Sequence, residues 1–146
     1  MRKYTAGSMV YVEEAMGHVA LVEPRRAPGY LTFPGGYSRR WPRESAEESG
    51  LREVKEELGL ELSSDLEPVA VYQQDGRPHY DHLFASRLDK TKPKIRPRAR
   101  FWTVVEVSHV DWYDLTNPEL WPTLVPEART ALRVFDSHFK LGLHGV

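Results

Sequence analysis

Apolar and polar positions change period several times along the 146-residue chain, and each change marks an element. Short β-branched runs at residues 8 to 12 (Ser-Met-Val-Tyr-Val) and 18 to 22 (His-Val-Ala-Leu-Val), with Gly17 between them, predict two strands joined by a turn. Residues 23 to 43 lose that pattern. Pro28-Gly29 and Pro34-Gly35-Gly36 bracket a short predicted strand, Tyr30-Leu31-Thr32-Phe33, within what reads as a long polar loop of the kind that carries function. From Ser45 the period becomes helical. Ser45 and Glu48 have capping-box spacing, Leu51, Val54 and Leu58 fall on one stripe, and Gly59 stands where a glycine ends a helix. Pro68 to Gln73 and His82 to Leu88 read as strands flanking the Asp75-Gly76 turn, and Phe101 to Val107 as a further strand. A last helix is predicted from Pro126, with Ala128, Leu132, Phe135 and Phe139 spaced by four, three and four. Strands mixed with two helices predict an α/β layered fold, and without a repeat or linker residues 1 to 146 read as a single domain.

Composition narrows the chemistry. The chain has no cysteine, so disulfide scaffolds, thiolate metal sites and cysteine nucleophiles are excluded. Twenty Lys and Arg against 21 Asp and Glu leave a formal net charge of −1, which argues against an overall field built for bulk nucleic-acid attraction. No window approaches the roughly 18 apolar residues of a membrane span, and Met1 to Ser8 has no leader-like apolar stretch, so a soluble cytoplasmic protein is expected. The near-neutral total conceals segregation. Residues 44 to 67 hold nine acids against Arg52 and Lys55, while basic residues gather in the preceding loop and in 87 to 100.

The acids carry the strongest chemical signal. Glu53, Glu56 and Glu57, at i, i+3 and i+4, share one helix face opposite Leu51, Val54 and Leu58. Such crowding costs a few tenths of a kcal/mol per like-charged pair, and a hard divalent cation relieves it. Glutamates on a helix are by themselves most simply a solvated face. The surroundings decide: Glu44, seven residues, then Arg52-Glu53-Val54-Lys55-Glu56-Glu57-Leu58-Gly59-Leu60 resembles the second part of the Nudix hydrolase signature position for position, and Phe33-Pro34-Gly35-Gly36 resembles the usual entry to that box. One spacing departs. Seven residues separate Gly36 from Glu44 where the signature has five, which reads as a two-residue insertion that leaves the helix register intact.

The resemblance implies a Nudix-type α/β/α sandwich with a mixed curved sheet between helices. It also implies Mg2+- or Mn2+-dependent cleavage of a diphosphate linkage in a nucleoside diphosphate joined to another group, such as a nucleoside triphosphate, a dinucleoside polyphosphate or a nucleotide sugar. By position it makes Glu53 and Glu57 the principal metal ligands, with Glu56 a further ligand or the acceptor of the water's proton. The carbonyl of Gly35 would complete the shell, Arg52 would orient the glutamates and Glu44 would support it. Glu106 is the candidate for an additional catalytic carboxylate from beyond the box. A non-catalytic nucleotide-binding module and an RNA 5′-end pyrophosphohydrolase are the alternatives, and relatives that form homodimers make self-association an expectation.

On the substrate side, Arg25, Arg26, Arg39, Arg40 and Arg43 surround the Pro-Gly-Gly loop, where guanidinium groups suit phosphate oxygens. Trp41, in the insertion, is the aromatic best placed to stack a base. The second cluster, Arg87, Lys90, Lys92, Lys94, Arg96, Arg98 and Arg100, could grip RNA or a long polyphosphate, although a charge run with prolines reads first as a solvated linker. His79 and His82, three apart on a strand, point to opposite faces and are not expected to share a metal.

Overall fold

The computed structural model describes residues 5–63, 66–98 and 106–146. Its central strand, β1 (Thr5–Glu13), shows why the chain layers as it does. Val10 and Val12 point to one face of the sheet and Met9 and Tyr11 to the other, each joining a separate apolar cluster. The neighbouring β2 (Val19–Pro24) repeats the division, with Ala20 and Val22 on the first face and Val19 and Leu21 on the second. Because both faces are apolar, both must be covered. Helix α1 (Ala46–Leu58) covers one with Val54 and Leu58, and α2 (Pro126–Phe139) covers the other with Ala128, Leu132 and Phe135.

Around β1 the sheet adds β3 (Gly35–Tyr37), β4 (Glu67–Gln73), β5 (His79–Arg87) and β6 (Val107–Tyr113), giving six strands among the described residues. The order β4-β5-β1-β2-β6 is mixed, because β1 runs parallel to β5 while its other pairings are antiparallel; β3 pairs with β1 off this path. The result is an α/β/α sandwich, as the resemblance implied.

Helix α1 begins and ends where its sequence says it should, and α2 starts at the expected Pro126. The Ser45 side chain accepts from the Glu48 N–H at 3.0 Å, the Glu48 carboxylate accepts from the Ser45 N–H at 3.0 Å, and Gly59 closes α1 at φ 71°. Three expectations need correcting. Tyr30 to Phe33 is not a strand: Thr32 bridges Val22 while Leu31 bridges Leu124, so the segment divides its hydrogen bonds between two partners and ladders with neither. Gly35–Tyr37, expected within a loop, is a strand because Gly7, Ser8 and Met9 of β1 pair with it. Strand β5 also begins three residues before the predicted His82. Of the predicted strand over Phe101 to Val107, residues 101–105 lie outside the described residues, as do Arg100 and Trp102.

Candidate active site

Strand β3 and helix α1 build the site between them. Gly35 lies where a Cβ would collide with the Ser8 carbonyl of β1, and a Cβ on Gly36 would meet Glu53 Oε1 at 2.8 Å. The glycine pair therefore lets β1, β3 and the carboxylate face of α1 close on one another. The Gly35 N–H donates to Glu57 Oε2 at 3.1 Å, tying strand to helix.

Arg52 is the hub of the acidic face. Its Nε and Nη2 donate to the two oxygens of Glu44 at 2.7 and 2.9 Å, a bidentate pair. Its Nη1 donates to Glu53 Oε1 at 2.8 Å and to Glu56 Oε2 at 3.3 Å, and Nη2 also reaches the Tyr37 carbonyl at 3.3 Å. Arg39 approaches Glu56 Oε1 at 3.7 Å. Hydrogen bonding to Arg52 holds the Glu44 carboxyl below its ordinary pKa.

Glu53 and Glu57 behave in the opposite way. Both are buried, and burial raises both pKa values; Arg52 partly offsets this for Glu53, whereas Glu57 is pushed up further by Glu53 beside it. Glu106 raises both as well, so its charge lies within reach of theirs. It is held there by its carbonyl, which accepts the Arg25 N–H at 2.9 Å just beyond β2.

These residues open on a cavity of about 800 Å³. Its acidic wall is Glu53, Glu56, Glu57 and Glu106, and Arg25, Arg26, Arg39, Arg52 and Arg98 supply the basic one. Among the predicted substrate-binding residues, Arg25, Arg26 and Arg39 line it, whereas Arg40 and the base-stacking candidate Trp41 do not. The insertion explains that placement. Arg39 and Glu44 bond each other across its base, Glu44 N–H to the Arg39 carbonyl at 3.0 Å and Arg39 N–H to Glu44 Oε1 at 2.8 Å, so residues 40–43 bulge outward and Trp41 is 92% exposed. The helix register is undisturbed, since Glu44 still meets Arg52.

Tyr37, one of the aromatics near the box loop that the sequence offers for stacking a base, lines the cavity, and so does Arg98, which the sequence does not place there. For Arg98 the signal was present in the basic run, but only the fold brings its N–H to the Glu56 carbonyl at 2.8 Å. Tyr37, 66% exposed, rests edge-on against the buried His79 at 4.8 Å between ring centres. His79 in turn bonds Thr5 Oγ1 at 2.7 Å and Asp81 Oδ1 at 3.1 Å, on the sheet face opposite to His82.

The donor set suits a hard cation. Two adjacent buried carboxylates whose pKa values rise together are an arrangement that a divalent ion stabilises, and magnesium commonly takes one or two carboxylates and fills its shell with water and substrate phosphate. Among the described residues, no three acidic or histidine side chains are arranged to hold a metal ion by themselves.

Comparison with known proteins agrees with this fold. The family described as the NUDIX domain matches residues 2–135, and the chain belongs to the Nudix hydrolase family, whose general chemistry is pyrophosphohydrolysis. Among solved structures it is similar to a MutT protein from Methanosarcina mazei (21% identity, TM-score 0.68, covering 95% of this chain and 97% of that one). It is also similar to the NUDIX domain of Shewanella oneidensis NrtR complexed with ADP ribose (15% identity, TM-score 0.75, 95% and 90%). A third is a bifunctional NMN adenylyltransferase/ADP ribose pyrophosphatase from Francisella tularensis, complexed with AMP and a manganese ion (15% identity, TM-score 0.72), where the match covers 94% of this chain and 42% of the other. At these identities the likeness is one of fold. A search of curated proteins finds no significant match. Among the described residues no helix is long and apolar enough to cross a membrane.

Proposed function

We propose that the protein is a divalent-metal-dependent hydrolase of a diphosphate linkage in a nucleoside diphosphate joined to a second moiety. The observation that carries this reading is the pairing of buried Glu53 and Glu57, at raised pKa, across one cavity from arginines that can take phosphate oxygens. Glu53 and Glu57 would hold Mg2+ or Mn2+, with the Gly35 carbonyl and Glu56 at its margin. When bound, that ion neutralises the diphosphate and polarises its P–O bonds.

The chain's own residues do the rest. Arg25, Arg26 and Arg39 bind and orient the phosphates, and Arg52 fixes the carboxylates so that they need not reorganise during reaction. Glu56 is clasped at the rim by Arg52 and Arg39. Glu106 is exposed and its carboxylate is in no ion pair with another described residue, which suits it to accept the proton of the attacking water. A neighbouring cavity of about 670 Å³ shares Arg26 and is edged by Tyr30, Arg129 and Arg133, giving the second moiety room and a counter-charge.

The AMP- and ADP ribose-bound structures support a nucleotide-type substrate, and the manganese-containing one supports the metal. The test is a panel of nucleoside triphosphates, dinucleoside polyphosphates and nucleotide sugars with Mg2+ and Mn2+, resolved by product. Glu57→Gln should lower turnover at least 100-fold with the circular dichroism spectrum unchanged. An undiminished rate in that variant would remove Glu57 from the site, and binding without turnover by the wild-type protein would make it a nucleotide-recognition module.

A further inference from the structure

The smaller cavity, of about 670 Å³, is built by two segments stitched together ahead of α2. Leu31 N–H donates to the Thr123 carbonyl at 2.8 Å and Val125 N–H to the Leu31 carbonyl at 3.0 Å, which sets Tyr30 and Leu31 against the start of the helix. Two successive turns lead into that contact, Ala27 N–H to the Pro24 carbonyl at 3.0 Å and Tyr30 N–H to the Ala27 carbonyl at 3.1 Å. They carry Arg26, which lines both this cavity and the acidic one, so the two are neighbours through one side chain.

The lining divides by chemistry. Buried Leu124 and Val125 supply apolar surface, the exposed Tyr30 an aromatic ring, and Arg26, Arg129 and Arg133 three guanidinium groups. None of the three is in an ion pair with an acidic side chain among the described residues, and Glu127 on the same lining pairs with none of them. Arg133 Nε donates to the Val146 carbonyl at 3.0 Å, which anchors that side chain. Arg129 Nε is buried with no hydrogen-bond acceptor among the described residues. Buried donors are as a rule satisfied, so this one draws its acceptor from outside the chain. Helix α2 adds donors of its own: its N-cap, Val125, makes no side-chain cap bond and Pro126 has no N–H, so Glu127 and Ala128 N–H lack a side-chain acceptor at the end that lines the cavity.

We infer that this cavity is a subsite for a phosphate monoester carried by the second moiety of the substrate. The donors decide between anions. Three guanidinium groups beside a helix N-terminus suit the three terminal oxygens and nearly double charge of a phosphate monoester better than the two oxygens and single charge of a carboxylate. Tyr30 and Val125 then offer apolar surface to the ring that bears the phosphate. The substrate class narrows to a nucleoside diphosphate joined to a group that is itself phosphorylated. That this phosphate belongs to the molecule being cleaved rests on the diphosphate-cleaving reading of the neighbouring cavity; the anion subsite itself does not.

Glucose 6-phosphate separates the two, because it carries a monoester on a sugar and no diphosphate. Titrated into the isotope-labelled full chain in EDTA, it should shift the amide signals of Arg26, Tyr30, Glu127 and Ala128 and leave those of Glu53 and Glu57 in place, while glucose should shift none. R129Q/R133Q should bind it at least about tenfold more weakly with the circular dichroism spectrum unchanged. The milder R129K, which keeps the charge and loses the Nε donor, should still weaken binding by about threefold. Gluconate, a carboxylate on a chain of similar size, should bind the wild type at least about fivefold more weakly than glucose 6-phosphate. No shift in the wild type, shifts confined to Glu53 and Glu57, equal binding by R129Q/R133Q, or equal binding of gluconate overturns the subsite. With Mg2+, glucose 6-phosphate should inhibit turnover of the substrate found in the panel competitively; undiminished turnover at a saturating concentration overturns the assignment of the phosphate to the substrate. A protein that binds glucose 6-phosphate beside Arg129 but hydrolyses nothing leaves the subsite standing and removes the catalytic reading.

Discussion

Glu14 and Glu57 are the same residue, both buried, and they titrate in opposite directions. Burial alone would raise Glu14, but it accepts N–H groups from Met16, His18 and Lys92 and the ring of His18, and these hold it at about 2. Glu57 receives one N–H, from Gly35, and faces another carboxylate, so burial prevails and its pKa rises. The difference lies in what the fold supplies. A carboxylate saturated by its own chain is a structural joint, here fastening the β1–β2 turn to the segment after β5 at Lys92. One left short of donors beside a like charge is a seat for something the chain does not contain.

The contrast can be broken most forcefully at turnover, through the Glu57→Gln loss already described. The next largest effect belongs to Glu14→Ala. It strands three backbone donors at once, so the melting temperature should fall more than for any other single polar-to-alanine change outside the site, with the mononucleotide KM unchanged where the protein remains folded. A melting curve that superimposes on the wild type would end its role as a joint.

Stability in chelator should then separate the two carboxylates by sign. A raised carboxylate favours the fold below its unfolded pKa of about 4.5 and loses that contribution as pH rises through the folded value. Glu57→Gln should therefore be more stable than wild type at pH 8 in EDTA, by about 1.4 kcal/mol for each unit of pKa elevation that it removes. Mg2+ should reverse the ranking by stabilising only the wild type. Glu14 works the other way: its contribution is present above pH 4.5 and disappears as pH falls toward 2, so Glu14→Gln should narrow its deficit in acid. Denaturant midpoints of the three proteins between pH 3 and 8 check both slopes.

The smallest effect sharpens the picture without breaking it. Arg52→Lys keeps a cation but loses the fork that serves Glu44, Glu53 and Glu56 together. It should lower kcat about 10- to 100-fold while KM changes less, and added Mn2+ should not restore it.

How much of this was legible in the sequence depended on how local the cause was. Helix α1 was fully readable because its cap, its stripe and its stop glycine all lie within fifteen residues, and the same run carried the resemblance that points to Glu53, Glu56 and Glu57. Strand β3 was not, since Gly-Gly-Tyr has no strand signal of its own and becomes one only against β1. The Tyr30 to Phe33 run had the composition of a strand but found two partners on different elements. Glu14 escaped notice because its donors are backbone groups, one of them on Lys92, and backbone donors leave no mark in a pattern of side chains. Arg98 was visible as a charge and invisible as a cavity residue, because only the fold brings its N–H to the Glu56 carbonyl, far earlier in the chain.

The self-closing turn between Arg39 and Glu44 makes the two extra residues modular. Because the bonds across its base are made by the flanking residues, the tip can be rewritten, lengthened or labelled while Arg52 keeps its partner and the glutamates their register. Trp41, standing in that tip, faces solvent rather than the cavity, so its replacement leaves the lining untouched. Changes to the tip therefore leave the floor of the cavity still.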